Sequence, residues 1–92
     1  MTEWIIGIGG SLLDDVITYK VVGDVEEVKA HLLSLVNKAK VRNYWDWDFG
    51  TETIEEIRWK EGRLYAFACF ESGHEDFTAT PLFAMETIKL SM

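Results

Sequence analysis

The chain has 92 residues, the size of one small domain, and carries sixteen acidic against nine basic side chains, for a formal net charge of −7. A negative surface repels phosphate backbones and anionic lipid headgroups. Direct nucleic-acid or membrane binding is therefore disfavoured, and a charged partner would have to be basic. The apolar fraction is 48% and includes four Trp, five Phe and three Tyr, enough for a core without metal or disulfide.

Cysteine usage and the N-terminus bear on the compartment. Cys69 is the single cysteine, so no internal disulfide can form, and we expect a reducing, cytoplasmic environment. The N-terminal apolar run is short and begins with an acidic residue, which predicts neither a signal peptide nor a membrane span. We expect one soluble domain over residues 1–92.

The first half of the chain predicts two strands and a helix. Residues 3–8 and 15–22 are apolar and β-branched, and a glycine-containing turn joins them, which predicts a hairpin. From residue 24 the apolar period becomes helical. Asp24 is a favourable N-cap, and Glu27 lies three residues later, where it completes a capping box. Basic side chains near the end of this segment match the helix dipole.

The second half predicts further strands. Residues 53–72 indicate a hairpin whose two-residue turn is Glu61-Gly62, with glycine supplying a positive φ. The run from Leu64 to Phe70 is almost wholly apolar, which predicts a central strand covered on both faces. A turn over residues 72–76 and a short strand over 77–80 follow.

The C-terminal segment is open between two structures. Thr80-Pro81 matches a helix N-terminus, because proline is favoured at the first helical position. Pro81 could equally interrupt an edge strand, since proline cannot donate to a sheet ladder. Residues 81–90 are therefore predicted to form either a short helix or a strand.

This element order predicts an α+β domain. The order is β-β-α-β-β plus a short C-terminal strand or helix, which suits an antiparallel β-sheet of four to five strands with one amphipathic helix packed on one face. The β-grasp topology has this order and is one candidate. A plain meander with a helix on one face is the alternative. Neither arrangement names a function by itself.

Side chains that could carry chemistry are few. Residues 7–11 form a glycine-rich turn that lacks the third glycine and the helix of a phosphate-binding loop. His74 lies among acidic residues, but no second histidine falls at metal-ligand spacing. Cys69 has apolar neighbours, which indicates a buried thiol, although a pairing with His31 or His74 stays open. We predict no catalytic residues, no metal and no cofactor, and a protein that is not an enzyme.

The most unusual stretch is "NYWDWDFGTETIEE", residues 43–56, which we call the acidic-aromatic segment. It has four aromatic and five acidic side chains and no Lys or Arg. If it is extended, Trp45, Trp47 and Phe49 share one side and the acids face water. Exposed rings would form a docking surface, because Trp and Tyr are enriched at binding hot spots and carboxylates steer a basic partner. Buried rings would complete the core. The predicted partner-binding residues are Tyr44, Trp45, Asp46, Trp47, Asp48, Glu52, Glu55 and Glu56.

In size and charge the chain resembles small acidic inhibitors from phages and mobile elements, such as anti-CRISPR and anti-restriction proteins. We predict a non-enzymatic protein-interaction module that binds a protein with a basic surface. In its sharpest form it inhibits a nucleic-acid-binding enzyme, with carboxylates in the place of phosphates.

Two other functional classes remain open. One is a self-associating domain, with pairing near residues 77–90 or through the N-terminal strand. The other is a small-ligand binder. Its pocket would be lined by Trp45, Trp47, Trp59, Tyr65 and Phe67.

Overall fold

The computed structural model describes residues 2–82 as a six-stranded antiparallel sheet with one helix across a face. The strands are β1 (Thr2–Gly9), β2 (Ile17–Gly23), β3 (Trp47–Gly50), β4 (Arg58–Lys60), β5 (Arg63–Phe70) and β6 (Gly73–Pro81), and the helix α1 is Val25–Arg42. The predicted α+β class is confirmed, with six strands instead of four to five. The β-grasp assignment is not confirmed, and residues 83–90 of the ambiguous C-terminal segment lie outside the described residues.

The sheet order explains the additional strand. The order is β2-β1-β6-β5-β3, and β4 also pairs with β5. Strands β3 and β4 lie along the same edge of β5, with β3 beside its C-terminal half and β4 beside its N-terminal half. A 3-10 turn over Ile54–Glu56 separates them. The chain between α1 and β5 therefore contributes two short strands.

Two strands expected to pair between copies are interior to the sheet. Strand β1 lies between β2 and β6, and β6 lies between β1 and β5. Both of their edges are already paired, so neither can accept a strand from a second molecule. This route to self-association was wrong for the described residues. Their sheet edges are β2 on one side and β3 with β4 on the other.

Helix α1 begins with the predicted capping box. The backbone N–H of Glu27 donates to the Asp24 carboxylate at 2.8 Å, and the N–H of Asp24 donates to the Glu27 carboxylate at 2.9 Å. The buried face of the helix then packs on the sheet. It consists of Val28, Leu32, Val36 and Ala39. These side chains join a core to which β1, β5 and β6 contribute, so the cap fixes where the helix starts over the sheet.

The two faces of the sheet differ in burial. Along β5, Leu64, Ala66, Ala68 and Phe70 are buried under α1, whereas the alternating side chains between them are half-buried on the opposite face. The predicted cover on both faces is therefore seen on one face only within residues 2–82. We call the other side of the sheet the open face.

The predicted turn at Glu61-Gly62 is confirmed. Glu61 and Gly62 have φ values of 55° and 82°, and a type I′ hairpin turn requires positive φ at both central positions. The turn predicted over residues 72–76 was wrong. Phe70 pairs with Gly73, so only two residues connect β5 to β6, and the polar residues that follow lie within the strand. These polar side chains are tolerated within the strand because each has a hydrogen-bond or ion-pair partner on its own face of the sheet.

We expect Asp24→Ala to lower the free energy of unfolding by about 1 kcal/mol, because the substitution leaves the Glu27 N–H without its acceptor. Urea denaturation followed by circular dichroism would measure this loss. Glu26→Ala is the matched control, since Glu26 is an acid of the same helical turn that takes no part in the capping box. Equal losses for the two variants would contradict a specific role of the cap.

Candidate functional site

The acidic-aromatic segment follows α1 directly. Tyr44–Asp46 form a 3-10 turn, and the extended conformation begins only at Trp47. The side chains of Tyr44 and Trp45 project from this turn, and each is 72% exposed. Their ring centroids are 5.3 Å apart in an edge-to-face arrangement. We call these two residues the aromatic pair. The structure places them in solvent, so they are not part of the core.

The expectation that Trp45, Trp47 and Phe49 share one side was wrong. The register of β3 against β5 shifts between Trp47 and Phe49, as in a β-bulge. Trp47 pairs with Phe70 on the helix side of the sheet, whereas Phe49 pairs with Cys69 on the open face. The bulge therefore separates two rings that a regular strand would have kept together.

Asp46 fastens the segment to the turn between β5 and β6. Its carboxylate accepts hydrogen bonds from the Ser72 hydroxyl and from the Ser72 backbone N–H, the latter at 3.3 Å. Its carbonyl oxygen accepts from the Glu71 N–H at 3.0 Å. The residue thus bridges two parts of the chain that are 26 positions apart. It holds the turn that carries the aromatic pair.

Trp47 anchors the acidic-aromatic segment to the core. Its ring meets Phe70 edge-to-face with centroids 5.6 Å apart, and the Lys40 ammonium lies 4.8 Å from the ring centroid. The side chain is half-buried and packs against the core. Of the two readings of the segment, exposed surface and core, Trp45 follows the first and Trp47 the second.

The acids of the segment also differ in their roles. One Glu56 oxygen accepts from the N–H groups of Glu52 and Thr53, at 2.6 and 3.2 Å, so this carboxylate caps the second 3-10 turn. Asp48, Glu52 and Glu55 are exposed, and within residues 2–82 their carboxylates make no hydrogen bond or ion pair. These three, together with the aromatic pair, are the predicted residues that remain available to a partner.

A groove that the sequence did not reveal lies beside the last two turns of α1. It has a volume of about 680 Å³ and is bounded by α1, β6 and the β1–β2 hairpin. Its lining is Ile8, Leu13, Ile17, Leu35, Val41 and Phe77 with the polar side chains Asn37, Lys38, Arg42 and Glu75. Residues from four secondary-structure elements and the β1–β2 loop meet here, so no local sequence pattern indicates the site.

The ligand pocket expected from the sequence does not form. Trp59 stacks on Trp4 with ring centroids 6.0 Å apart, on the helix side of the sheet. Tyr65 and Phe67 stack with each other, also at 6.0 Å, on the open face. Because these rings lie on opposite faces and Trp45 lies in solvent, they cannot line one cavity.

A chain of polar contacts crosses the open face. The Ser11 hydroxyl lies 3.2 Å from His74 Nδ1 and accepts the His74 backbone N–H at 3.0 Å. His74 Nε2 is 3.3 Å from an Asp76 oxygen, and the Tyr65 hydroxyl donates to the other Asp76 oxygen at 2.9 Å. The residue types are those of a catalytic triad. The Ser11 oxygen, however, is held twice by the same histidine, so we assign this chain to tying the β1–β2 loop to β6.

Cys69 lies directly across from His74 on the open face. Burial and the negative charges of Asp76 and Asp48 raise the pKa of the Cys69 thiol. A raised pKa favours the neutral thiol over the nucleophilic thiolate. The other histidine, His31, is bonded to the Tyr19 hydroxyl at 2.6 Å, and burial with the nearby Lys38 charge lowers its pKa.

Two general features complete the site description. Among residues 2–82, no group of three or more His, Cys, Asp or Glu side chains is placed to hold a metal ion. In the same residues, no helix has the length and apolarity needed to cross a bilayer.

No family model matches the chain, and no curated protein or solved structure matches it either.

The hydrogen bond between Tyr65 and Asp76 gives a prediction about pH. Burial, this hydrogen bond and the Asp76 charge raise the pKa of Tyr65 to about 12. The unfolded chain ionises near the ordinary value of about 10. The stabilising effect of the protonated phenol is therefore complete below pH of about 10 and is lost as the pH rises through about 12.

We expect Asp76→Asn to lower the Tyr65 pKa, because the neutral amide no longer repels the phenolate. Phenolate absorbance would be followed against pH, with Tyr65→Phe identifying the contribution of this residue. Asp48→Asn is the control, since Asp48 makes no bond to Tyr65. An unchanged Tyr65 titration in Asp76→Asn would show that Asp76 does not set it.

Proposed function

We propose that this protein is a non-enzymatic interaction module that docks a partner protein through the acidic-aromatic segment. The observation that carries the proposal is the aromatic pair, because two adjacent large rings are each 72% exposed on a turn that is fastened to the sheet. Burying an aromatic side chain removes roughly 150–250 Å² from water. Trp and Tyr are also the residues most enriched in binding hot spots. A partner that covers the pair would gain on both counts.

The charges of the acidic-aromatic segment favour a partner with a basic surface. Asp48, Glu52 and Glu55 are exposed carboxylates without partners in residues 2–82. The nearest basic residues along α1 are already engaged, since Lys40 lies over Trp47 and Arg42 is paired with Glu75. Unneutralised carboxylates in the same segment as an apolar anchor can steer a basic partner and orient it.

The sharpest form of the proposal is inhibition of a nucleic-acid-binding enzyme. Such enzymes present Lys and Arg to phosphates, and carboxylates can accept the same charge-assisted hydrogen bonds. The net charge of −7 in 92 residues supports this form. We place the protein in the cytoplasm and among mobile-element inhibitors of the anti-CRISPR or anti-restriction type. The proposal needs only the α+β arrangement, and the β-grasp assignment stays a prediction.

A photo-crosslinking experiment tests whether the pair is the docking site. We expect p-benzoylphenylalanine at position 44 to capture a defined partner in cells, whereas the same group at Val22, on the exposed edge of the sheet, should not.

With that partner purified, Trp45→Ala should weaken binding by about thirtyfold, which corresponds to the loss of a hot-spot residue that contributes about 2 kcal/mol. Trp59→Ala is the control, because Trp59 is also exposed but lies elsewhere. Equal losses for the two variants would refute the assignment.

Charge reversal tests the basic-partner part of the proposal. We expect Asp48, Glu52 and Glu55 changed together to Lys to weaken binding strongly at low salt and less at moderate salt, because salt screens exposed charges. The matched control changes Glu3, Asp14 and Asp15 to Lys, which alters net charge equally at exposed positions away from the segment. If both triple variants lose the same affinity, only total charge matters and local steering is absent.

A further inference from the structure

The groove beside the last turns of α1 has a mainly apolar lining. Six apolar side chains from α1, β1, β2, β6 and the hairpin loop line its volume of about 680 Å³. Small-molecule sites typically have about 300–1,000 Å³ and are mainly apolar with a few placed polar groups. Val41 on the rim is 73% exposed, so its methyl groups are open to a ligand. The size and the lining are those of a small-ligand site.

Two cations lie on one rim of this groove. Lys38 and Arg42 are four residues apart on α1, so they project from the same side of the helix. Arg42 donates from Nη2 to a Glu75 oxygen at 3.2 Å, and Glu75 is only 3% exposed. A buried carboxylate thus holds the guanidinium at the groove. Its Nη1 N–H groups bind no other residue within 2–82, and the Lys38 ammonium is equally free there.

The charge that remains at the groove is positive. Among residues 2–82, Glu75 is the one carboxylate in the lining, and its charge is already matched by Arg42. Lys38 is left without a counter-ion among the described residues. An apolar wall with a cationic rim complements a molecule that has an apolar body and one anionic end. A cationic ligand would be repelled by the unpaired charge of Lys38.

We propose that this groove binds a small amphipathic carboxylate, such as a medium-chain fatty acid. The alkyl chain lies on the apolar wall, and the carboxylate accepts hydrogen bonds from Lys38 and from the free N–H groups of Arg42. The proposal goes beyond the docking function. Neither residue of the aromatic pair lines the groove, so the two proposals can fail separately.

Three ligands with one alkyl chain and different head groups test the head-group assignment. Decanoate, decanol and decylamine would be titrated by calorimetry below their micelle-forming concentrations. We expect decanoate to bind about tenfold tighter than decanol, the value of one charge-assisted hydrogen bond of about 1.5 kcal/mol, and decylamine to bind most weakly. Equal affinities would indicate apolar contact alone, and tightest binding of decylamine would indicate Glu75 as the anchor. Either of these results, or the absence of binding, overturns the proposal.

Two measurements locate the site. Methyl resonances of Ile8, Leu35 and Val41 should shift on addition of decanoate. Lys38→Gln should weaken decanoate binding by about three- to tenfold and leave decanol binding unchanged, because only the charged head loses a partner. Lys29→Gln is the matched control, since Lys29 lies in the first half of α1 and is paired with Glu26 at 3.9 Å. Equal effects of the two lysine variants would overturn the assignment to this groove.

Discussion

The hydrogen bonds of Asp46 are the constraint on which the proposed docking surface depends. Its carboxylate and its carbonyl oxygen both bind the turn between β5 and β6, so the chain leaving α1 is held against the sheet at one point. Trp47 packs against the edge of the core, whereas Tyr44 and Trp45 remain exposed to solvent. Without these bonds the two rings could turn inward, where apolar burial would favour them.

The Asp46 hydrogen bonds divide the acidic-aromatic segment into residues that stabilise the fold and residues that are available to a partner. Asp46, Trp47 and Glu56 are engaged by the fold, and their loss would disturb the turn itself. The aromatic pair and three exposed carboxylates form no such contacts with the part of the chain that the structure describes, although they come from the same short stretch. A cluster of like charges and large rings is thus partly structural. Any functional effect of a change here must be judged by which of the two groups it touches.

Local signals were readable in the sequence, and long-range ones were not. The capping box depends on Asp24 and Glu27, three residues apart, and the Glu61-Gly62 turn depends on its own backbone, so both were predicted. The turn predicted over residues 72–76 includes Glu75, which the structure places in a strand. Its burial in β6 depends on Arg42, 33 residues away, and no local pattern encodes that pair. The bulge in β3 and the groove beside α1 escaped prediction for the same reason.

The exposure of Trp45 tests the account most directly, and the four tryptophans serve as their own controls. Fluorine NMR of the protein labelled with 5-fluorotryptophan, with a paramagnetic co-solute, would rank the rings by contact with solvent. We predict strong relaxation for Trp45 and Trp59, weaker relaxation for half-buried Trp47 and the least for Trp4, which is 1% exposed. A Trp45 signal as protected as that of Trp4 would contradict the account, because the proposed docking surface would then be core.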